Sequence, residues 1–134
     1  MSPRVSIIVP CYNEQSTIRL LLEALLEQTY PRAEMEVVIA DGLSTDGTRD
    51  AIAVFQKDFP DLCVRVVENV NRSIPSALNR AIEAARGEII LRLDGHSKPY
   101  PDYVEKSVSA HDEGRGANVG GVWDIQPGTE GWIA

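Results

Sequence analysis

The stretch EVVIADGLSTDGT, residues 36–48, sets the pattern from which the fold follows. It begins as a short apolar run typical of a buried strand and continues into a loop rich in Gly, Ser, Thr and Asp. A helical pattern follows over 48–59, with Ile52, Val54 and Phe55 near one face. A buried strand that leads through a polar loop into a helix is the repeating unit of parallel α/β proteins.

The same unit recurs along the whole chain. The sequence predicts strands over 4–10, 34–41, 61–69, 88–94 and 117–125, and helices over 15–28, 48–59, 73–87 and 100–114. In the third helix Ser73 suits the N-cap, Pro75 fits the first turn and Gly87 ends the helix. Strands that alternate with helices in this way predict a three-layer α/β/α fold of the Rossmann type, with a mostly parallel sheet and right-handed crossovers.

Composition excludes several classes of protein. The chain has 134 residues, 43% of them hydrophobic and 25% charged, as expected of one soluble globular domain. No apolar run approaches the roughly 20 residues that span a bilayer, and residues 1–4 lack the features of a signal peptide, so we expect a cytoplasmic protein. Cys11 and Cys63 are expected to be free thiols in a reducing compartment.

The formal net charge is −7, which argues against nucleic-acid binding because that requires a basic surface. If such a protein binds an anionic ligand, a cation, a few arginines or lysines, or a helix N-terminus must supply positive charge locally.

The least ordinary residues follow the predicted strands. They lie in four loops, at 10–14, 41–47, 68–72 and 94–97. Since ligands of parallel α/β sheets bind at the carboxyl ends of the strands, these loops are expected to share one ligand-binding edge. Each loop alone is also explained as a turn and helix cap, with Asn13 suited to the N-cap of the first helix. Because all four loops are expected at the same edge, a ligand-binding site is favoured over four unrelated turns and caps.

Known phosphate and catalytic motifs narrow what this edge could bind. The sequence has no Gly-x-Gly-x-x-Gly, no P-loop and no Gly-x-Ser-x-Gly, which disfavours a dinucleotide-binding protein, a P-loop NTPase and an α/β-hydrolase. A carboxylate-rich cleft with few cations remains. A divalent metal that carries a phosphorylated ligand would balance its charge.

Three segments resemble the inverting family-2 glycosyltransferases, which have the GT-A nucleotide-sugar-binding fold. They are VSIIVPCYNE (5–14), EVVIADGLSTDGT (36–48) and NVNRSIPSALNRAIEAARGEIILRLDGHS (69–97). The segment LRLDGHSKPYPDYV (91–104) looks most like the subgroup associated with succinoglycan-type exopolysaccharide synthesis. The resemblance implies that residues 1–134 are the donor-binding domain, which binds a UDP-sugar for transfer to a saccharide or lipid-linked acceptor.

The resemblance also implies roles for single residues on the nucleotide side. Asp41 matches the carboxylate that accepts a hydrogen bond from the base, usually uracil, whose ring N–H suits an acceptor-only group. Ser44 holds the same loop, and Arg72, where the family commonly has a generic residue, is inferred from its charge to contact phosphate. The first nucleotide-binding loop is matched by Pro10, Tyr12 and Glu14.

Asp94-Gly95-His96 matches the Asp-x-Asp motif of the family, which binds Mn²⁺ or Mg²⁺ and through it the diphosphate of the donor. Asp94 and His96 point the same way on an extended segment. A carboxylate is usual at position 96, and hard cations prefer oxygen, so His96 is either a metal ligand or a structural or substrate hydrogen-bonding group. Arg92 either pairs with an acidic neighbour or steers the diphosphate.

An inverting transfer needs a general base, which the resemblance places in the acceptor half, beyond residue 134; Asp124 is a weak internal candidate. The chain alone is therefore expected to bind nucleotide weakly and to transfer little or nothing. The full-length protein is expected at the membrane, and Trp123 and Trp132 favour a homodimer of the fragment. A non-catalytic nucleotide-sugar-binding or assembly module is the alternative. A nucleotidyltransferase is disfavoured, because its Gly-rich basic loop would replace residues 11–14.

Overall fold

The computed structural model describes residues 3–113. The strands are β1 (Val5–Cys11), β2 (Met35–Asp41), β3 (Cys63–Glu68) and β4 (Ile89–Arg92), and the helices are α1 (Gln15–Leu26), α2 (Thr48–Asp58), α3 (Ile74–Ala84) and α4 (Tyr103–Asp112). The predicted elements in this range are confirmed, with ends that differ by at most three residues. The predicted strand over 117–125 and Asp124 lie outside the described residues.

Within residues 3–113 the four strands form one parallel sheet in the order β3-β2-β1-β4. The register places Cys11 beside Asp41 and Asp41 beside Glu68, so β1, β2 and β3 end level with one another. The loops that follow these strands therefore emerge side by side. The predicted α/β fold and the shared loop edge are confirmed.

Side chains of the strands alternate between two hydrophobic layers, as the twofold period of a strand requires. In β2, Val37 and Ile39 belong to the larger layer, whereas Val38 and Ala40 belong to the smaller one. Buried residues of α1, α2 and α4 complete the larger layer, and Ala77 of α3 helps to complete the smaller. Helices thus cover both faces of the sheet and hold the strands in place. The loops follow at the ends of the strands.

The ends of α3 confirm one prediction and correct another. Ser73 caps the helix, since its Oγ accepts a hydrogen bond from Ser76 N at 3.2 Å, and Pro75 lies in the first turn. Gly87 does not end the helix, because α3 already ends at Ala84. A Cβ atom at Gly87 would lie 2.8 Å from the Ser6 backbone nitrogen. Glycine is therefore required there by the close approach of two backbones.

A buried carboxylate lies at the opposite, amino end of the sheet. Glu36 is fully buried, and its Oε2 accepts hydrogen bonds from Ser6 Oγ at 2.6 Å and from Arg86 N at 2.7 Å. Its Oε1 accepts from Arg65 Nη2 at 2.7 Å. Burial alone would raise the pKa of Glu36, but the bonds from Ser6, Arg86 and Arg65 outweigh it and lower that pKa. The carboxylate ties three strands together away from the loop edge.

The longest described helix, α1, has 12 residues. In the part of the chain that the structure describes, no helix is both long and apolar enough to cross a membrane.

Candidate functional site

The loops after β1, β2 and β3 each contain one residue with left-handed backbone geometry. Among residues 3–113 the non-glycine residues with positive φ are Asn13 (50°), Leu43 (62°) and Arg72 (63°). This conformation costs a non-glycine residue energy, so it persists only where surrounding contacts impose it. The left-handed conformation occurs at one edge of the sheet in all three residues. This indicates that contacts between the loops determine their shapes.

Asn13 joins the first loop to the second. Its backbone nitrogen donates to Ser44 Oγ at 2.8 Å, and its Oδ1 accepts from Thr45 N at 2.8 Å. The alternative explanation, in which Asn13 caps α1, is wrong, because Glu14 occupies the N-cap position and the Asn13 side chain binds the neighbouring loop instead. The long-range bond is what makes the left-handed turn at Asn13 sustainable.

Asp41 is fully buried at the end of β2. Its carboxylate accepts hydrogen bonds from Ser44 N at 3.0 Å, from Ser44 Oγ at 2.5 Å and from Arg49 Nε at 2.9 Å. Sequence reasoning missed Arg49, although a signal was present. A cation in the first turn of a helix opposes the helix dipole, so Arg49 at the start of α2 should have been assigned a carboxylate partner.

Asp46 lies between the starts of two helices. Its Oδ1 accepts hydrogen bonds from Thr48 N at 2.9 Å and from the Thr48 hydroxyl, and Gln15 N of α1 lies 3.4 Å from its Oδ2. The hydroxyl bond from Thr48 is the main cause that lowers the pKa of Asp46. One carboxylate thus satisfies backbone donors of both α1 and α2.

Tyr12 and Arg72 pack against each other over Gly42. The Arg72 guanidinium lies 5.3 Å from the centre of the Tyr12 ring, and its Nε donates to the Gly42 carbonyl at 2.9 Å. A Cβ atom at Gly42 would be 3.4 Å from both side chains. The pair therefore forms a flat, exposed surface beside the Asp41 loop, where an aromatic ring could stack.

Pro10 and Cys11 complete the end of β1. Pro10 pairs with Ala40 of β2, and Cys11 is buried. Burial, with smaller contributions from Asp41 and Glu14, raises the pKa of the Cys11 thiol to about 12. The thiol therefore stays protonated and unreactive at neutral pH.

The loop after β4 is a turn over residues 94–97, so the expectation of an extended segment at Asp94-Gly95-His96 is wrong. Ser97 N donates to the Asp94 carbonyl at 2.9 Å, and Asp94 N donates to Ser97 Oγ at 3.0 Å. Arg92 Nη2 lies 3.3 Å from Asp94 Oδ1, so both side chains lie on the same face, as alternation predicted. Of the two alternatives for Arg92, the structure shows the ion pair with an acidic neighbour.

Glu14 of the first loop reaches this fourth loop. Its Oε2 lies 3.6 Å from His96 Nδ1, and it would be only 2.6 Å from a Cβ atom at Gly95. The His96 ring is 68% exposed, whereas the Glu14 side chain is 22% exposed. Glu14, predicted as a nucleotide-binding residue, therefore contacts the Asp-Gly-His loop.

The donor set of this loop fits a metal that arrives with a phosphorylated ligand. Within residues 3–113 no group of three or more His, Cys, Asp or Glu side chains is arranged to hold a metal ion. Asp94 and His96 offer one carboxylate and one imidazole on a single loop. Mg²⁺ in nucleotide sites usually takes one or two protein carboxylates, and substrate phosphates and water supply the other ligands. The single carboxylate of Asp94 is therefore enough to begin such a site, with His96 as a second candidate donor.

Residues 6–133 match the model of the family described as Glycosyl transferase family 2. Since the match covers nearly the whole chain, the chain belongs to that family.

Solved relatives share the fold over most of the described residues. A mannosyltransferase from Pyrobaculum calidifontis, solved with GDP-Man and Mn²⁺, has 40% identity and a TM-score of 0.75 over 81% of this chain and 32% of its own. Residues 1–349 of TarS from S. aureus, solved with UDP-GlcNAc, have 31% identity and a TM-score of 0.69 over 84% of this chain and 32% of that one. Both support a nucleotide-sugar-binding domain of the GT-A type.

A curated relative from Methanococcus voltae is named dolichyl N-acetyl-alpha-D-glucosaminyl phosphate 3-beta-D-2,3-diacetamido-2,3-dideoxy-beta-D-glucuronosyltransferase. It is 32% identical over 123 residues, which cover 88% of this chain and 38% of the relative. The chain therefore spans only about a third of the length of the Methanococcus voltae relative and of each of these two solved chains.

Proposed function

We propose that residues 1–134 form the donor-binding domain of an inverting glycosyltransferase. It binds a nucleoside-diphosphate sugar together with a divalent metal, for transfer to a saccharide or lipid-linked acceptor, and the wording of residues 91–104 favours an enzyme of exopolysaccharide synthesis. One observation carries the proposal. In a chain of family 2, the buried Asp41, the Tyr12–Arg72 pair and the Asp94–His96 loop converge on one edge of the sheet.

The base belongs at the Asp41 end of this edge. Tyr12 and Arg72 offer it a flat surface, and Asp41 accepts its ring N–H. Both uracil and guanine carry such an N–H, so this geometry fits UDP and GDP alike. The position of Arg72 beside Gly42 supports contact with the base more than the phosphate contact expected from its charge. Because Ser44 and Arg49 already bind Asp41, one of them must shift when the base binds.

The diphosphate belongs at the Asp94 end, where Asp94 and His96 would hold Mn²⁺ or Mg²⁺. Bound there, the metal would neutralise negative charge on the departing nucleoside diphosphate. Asp94 also pairs with Arg92, so the charge of that guanidinium is already balanced by the carboxylate. We place the general base that deprotonates the acceptor hydroxyl beyond residue 134, as the family resemblance implies.

Isothermal titration of UDP, GDP and their sugar nucleotides, with and without Mn²⁺, tests this function. We expect weak binding that Mn²⁺ strengthens, with the gain lost in Asp94→Asn and His96→Ala. His111→Ala is the matched control, since His111 lies near the end of α4. If Mn²⁺ does not change the nucleotide affinity of the unmodified protein, the proposed metal role is wrong. Transfer of sugar by the 134-residue chain would contradict the placement of the general base.

A further inference from the structure

Glu14 has a firmly held backbone at the start of α1. Its nitrogen donates to Thr48 Oγ1 at 2.9 Å, and its carbonyl accepts from Thr17 N at 3.0 Å and from Ile18 N at 2.8 Å. These bonds fix the backbone position from which the side chain extends. The side chain reaches the fourth loop, where its Oε2 lies 3.6 Å from His96 Nδ1.

Gly95 provides the space that the Glu14 carboxylate occupies. Gly95 is buried, and a Cβ atom there would lie 2.6 Å from Glu14 Oε2 and 3.0 Å from its Cδ. Real side chains do not approach so closely, so any other residue at position 95 would displace the carboxylate. The glycine between Asp94 and His96 thus lets a second acidic group, the Glu14 carboxylate, lie against the loop.

The carboxylate faces one particular nitrogen of His96. Its Oε2 lies 3.6 Å from Nδ1, an ion-pair distance that a small rotation shortens to a hydrogen bond. A carboxylate only accepts hydrogen bonds, so it favours the neutral tautomer with the proton on Nδ1. The lone pair then lies on Nε2, on a side chain that is 68% exposed.

We propose that Glu14 is a positioning residue that holds His96 in the Nδ1–H tautomer and so presents Nε2 to the divalent metal. The inference rests on the proposed function, because it takes His96 as a metal ligand. A carboxylate on the second nitrogen of a metal-binding histidine fixes the ring and makes it more basic. Glu14 would thus restore to His96 some of the anionic character of the usual aspartate.

The tautomer can be read without metal or activity. The chain has two histidines, so long-range ¹H–¹⁵N correlation of histidine-labelled protein at alkaline pH gives two resolvable rings, with His111 as internal reference. We expect Nδ1–H for His96 in the metal-free protein, and its loss in Glu14→Ala. Gly95→Ala should cause the same loss, because it displaces the carboxylate without removing it. A wild-type His96 with its proton on Nε2 would overturn the inference.

A double-mutant cycle then separates positioning from direct ligation. With UDP or GDP as ligand, Glu14→Gln should reduce the affinity gained from Mn²⁺ by roughly 10-fold, and should cost nothing further in a His96→Ala background. Glu83→Gln, on an exposed side chain near the end of α3, is the charge-matched control. Circular dichroism verifies that each variant is folded.

The outcomes distinguish this inference from the function on which it rests. An equal loss from Glu14→Gln in both backgrounds would mean that Glu14 binds metal or nucleotide directly, which overturns the positioning role. Mn²⁺-dependent binding that Glu14→Gln leaves unchanged would overturn this inference alone. Nucleotide binding that ignores Mn²⁺ in the wild type would overturn both.

Discussion

Asp41→Asn keeps the shape of the buried side chain and removes its charge. The asparagine oxygen can stay toward Ser44 N and Arg49 Nε, which now lie 3.0 and 2.9 Å from the carboxylate. Its NH₂ group then donates to Ser44 Oγ, whose proton turns away. All three contacts survive, so the folded state loses only the charge of the acceptor.

The expected magnitudes differ for folding and for binding. Hydrogen bonds to charged groups contribute about 1 kcal/mol more than neutral ones, so the free energy of unfolding should fall by ~1 kcal/mol and the thermal midpoint by about 3–6 °C. Binding should lose more, because the NH₂ group would oppose the ring N–H of the base. The base loses its hydrogen bond to a charged acceptor, and two N–H donors now face each other. Together these effects cost ~2–3 kcal/mol of binding free energy, or about 30- to 150-fold in affinity.

The assay compares ligands with and without a base. Calorimetric titration of UDP, GDP and pyrophosphate in the presence of Mn²⁺ should show a loss for the nucleotides and none for pyrophosphate. Arg49→Gln removes the ion pair but keeps the carboxylate, so it should lower stability without the base-specific loss. If Asp41→Asn weakened pyrophosphate as much as UDP, Asp41 would only organise its loop and the base-reading role would be refuted.

Three further substitutions test separate parts of the structure. Glu36→Gln should lower the free energy of unfolding in urea by ~2–3 kcal/mol, since two arginines lose a buried partner, whereas Glu88→Gln, exposed at the same end of the sheet, should change it by less than ~0.5 kcal/mol. The lowered pKa of Asp46 means that its contribution is complete above the unfolded-state pKa and disappears as pH falls through the folded-state pKa; the difference in thermal midpoint between wild type and Asp46→Asn should therefore vanish in acid. Arg72→Ala should weaken metal-free UDP binding more than Arg92→Ala does in EDTA, and equal losses would contradict that ranking.

The strands and the loop edge were predictable because their signals are local. Val37, Val38, Ile39 and Ala40 form a continuous apolar run, and such a run between helices indicates a buried parallel strand. The parallel arrangement then dictates that the carboxyl ends of the strands share an edge. Metal-binding candidates followed from the resemblance, since no spacing rule would have selected His96.

The partners of polar side chains were less predictable, because they are distant in sequence. Asn13 carries the local signature of a helix cap, yet it binds Ser44 and Thr45, 31 and 32 residues away. Glu36 interrupts an apolar strand, which should have indicated a buried ion pair. The identity of its partner, Arg65, 29 residues on, depends on strand order and register.

The distribution of charge at the loop edge supports the proposed metal dependence. Arg49 is neutralised by Asp41 and lies 3.6 Å from Glu68, and Arg92 is neutralised by Asp94. The Arg72 contacts are a carbonyl and a tyrosine ring, both uncharged, so of these three arginines it retains the most positive charge for a ligand. A diphosphate brings more negative charge than one exposed guanidinium balances. Under the proposed function, a divalent cation on the Asp94 loop would supply positive charge at the phosphates, while the charge of Arg72 would act at the base.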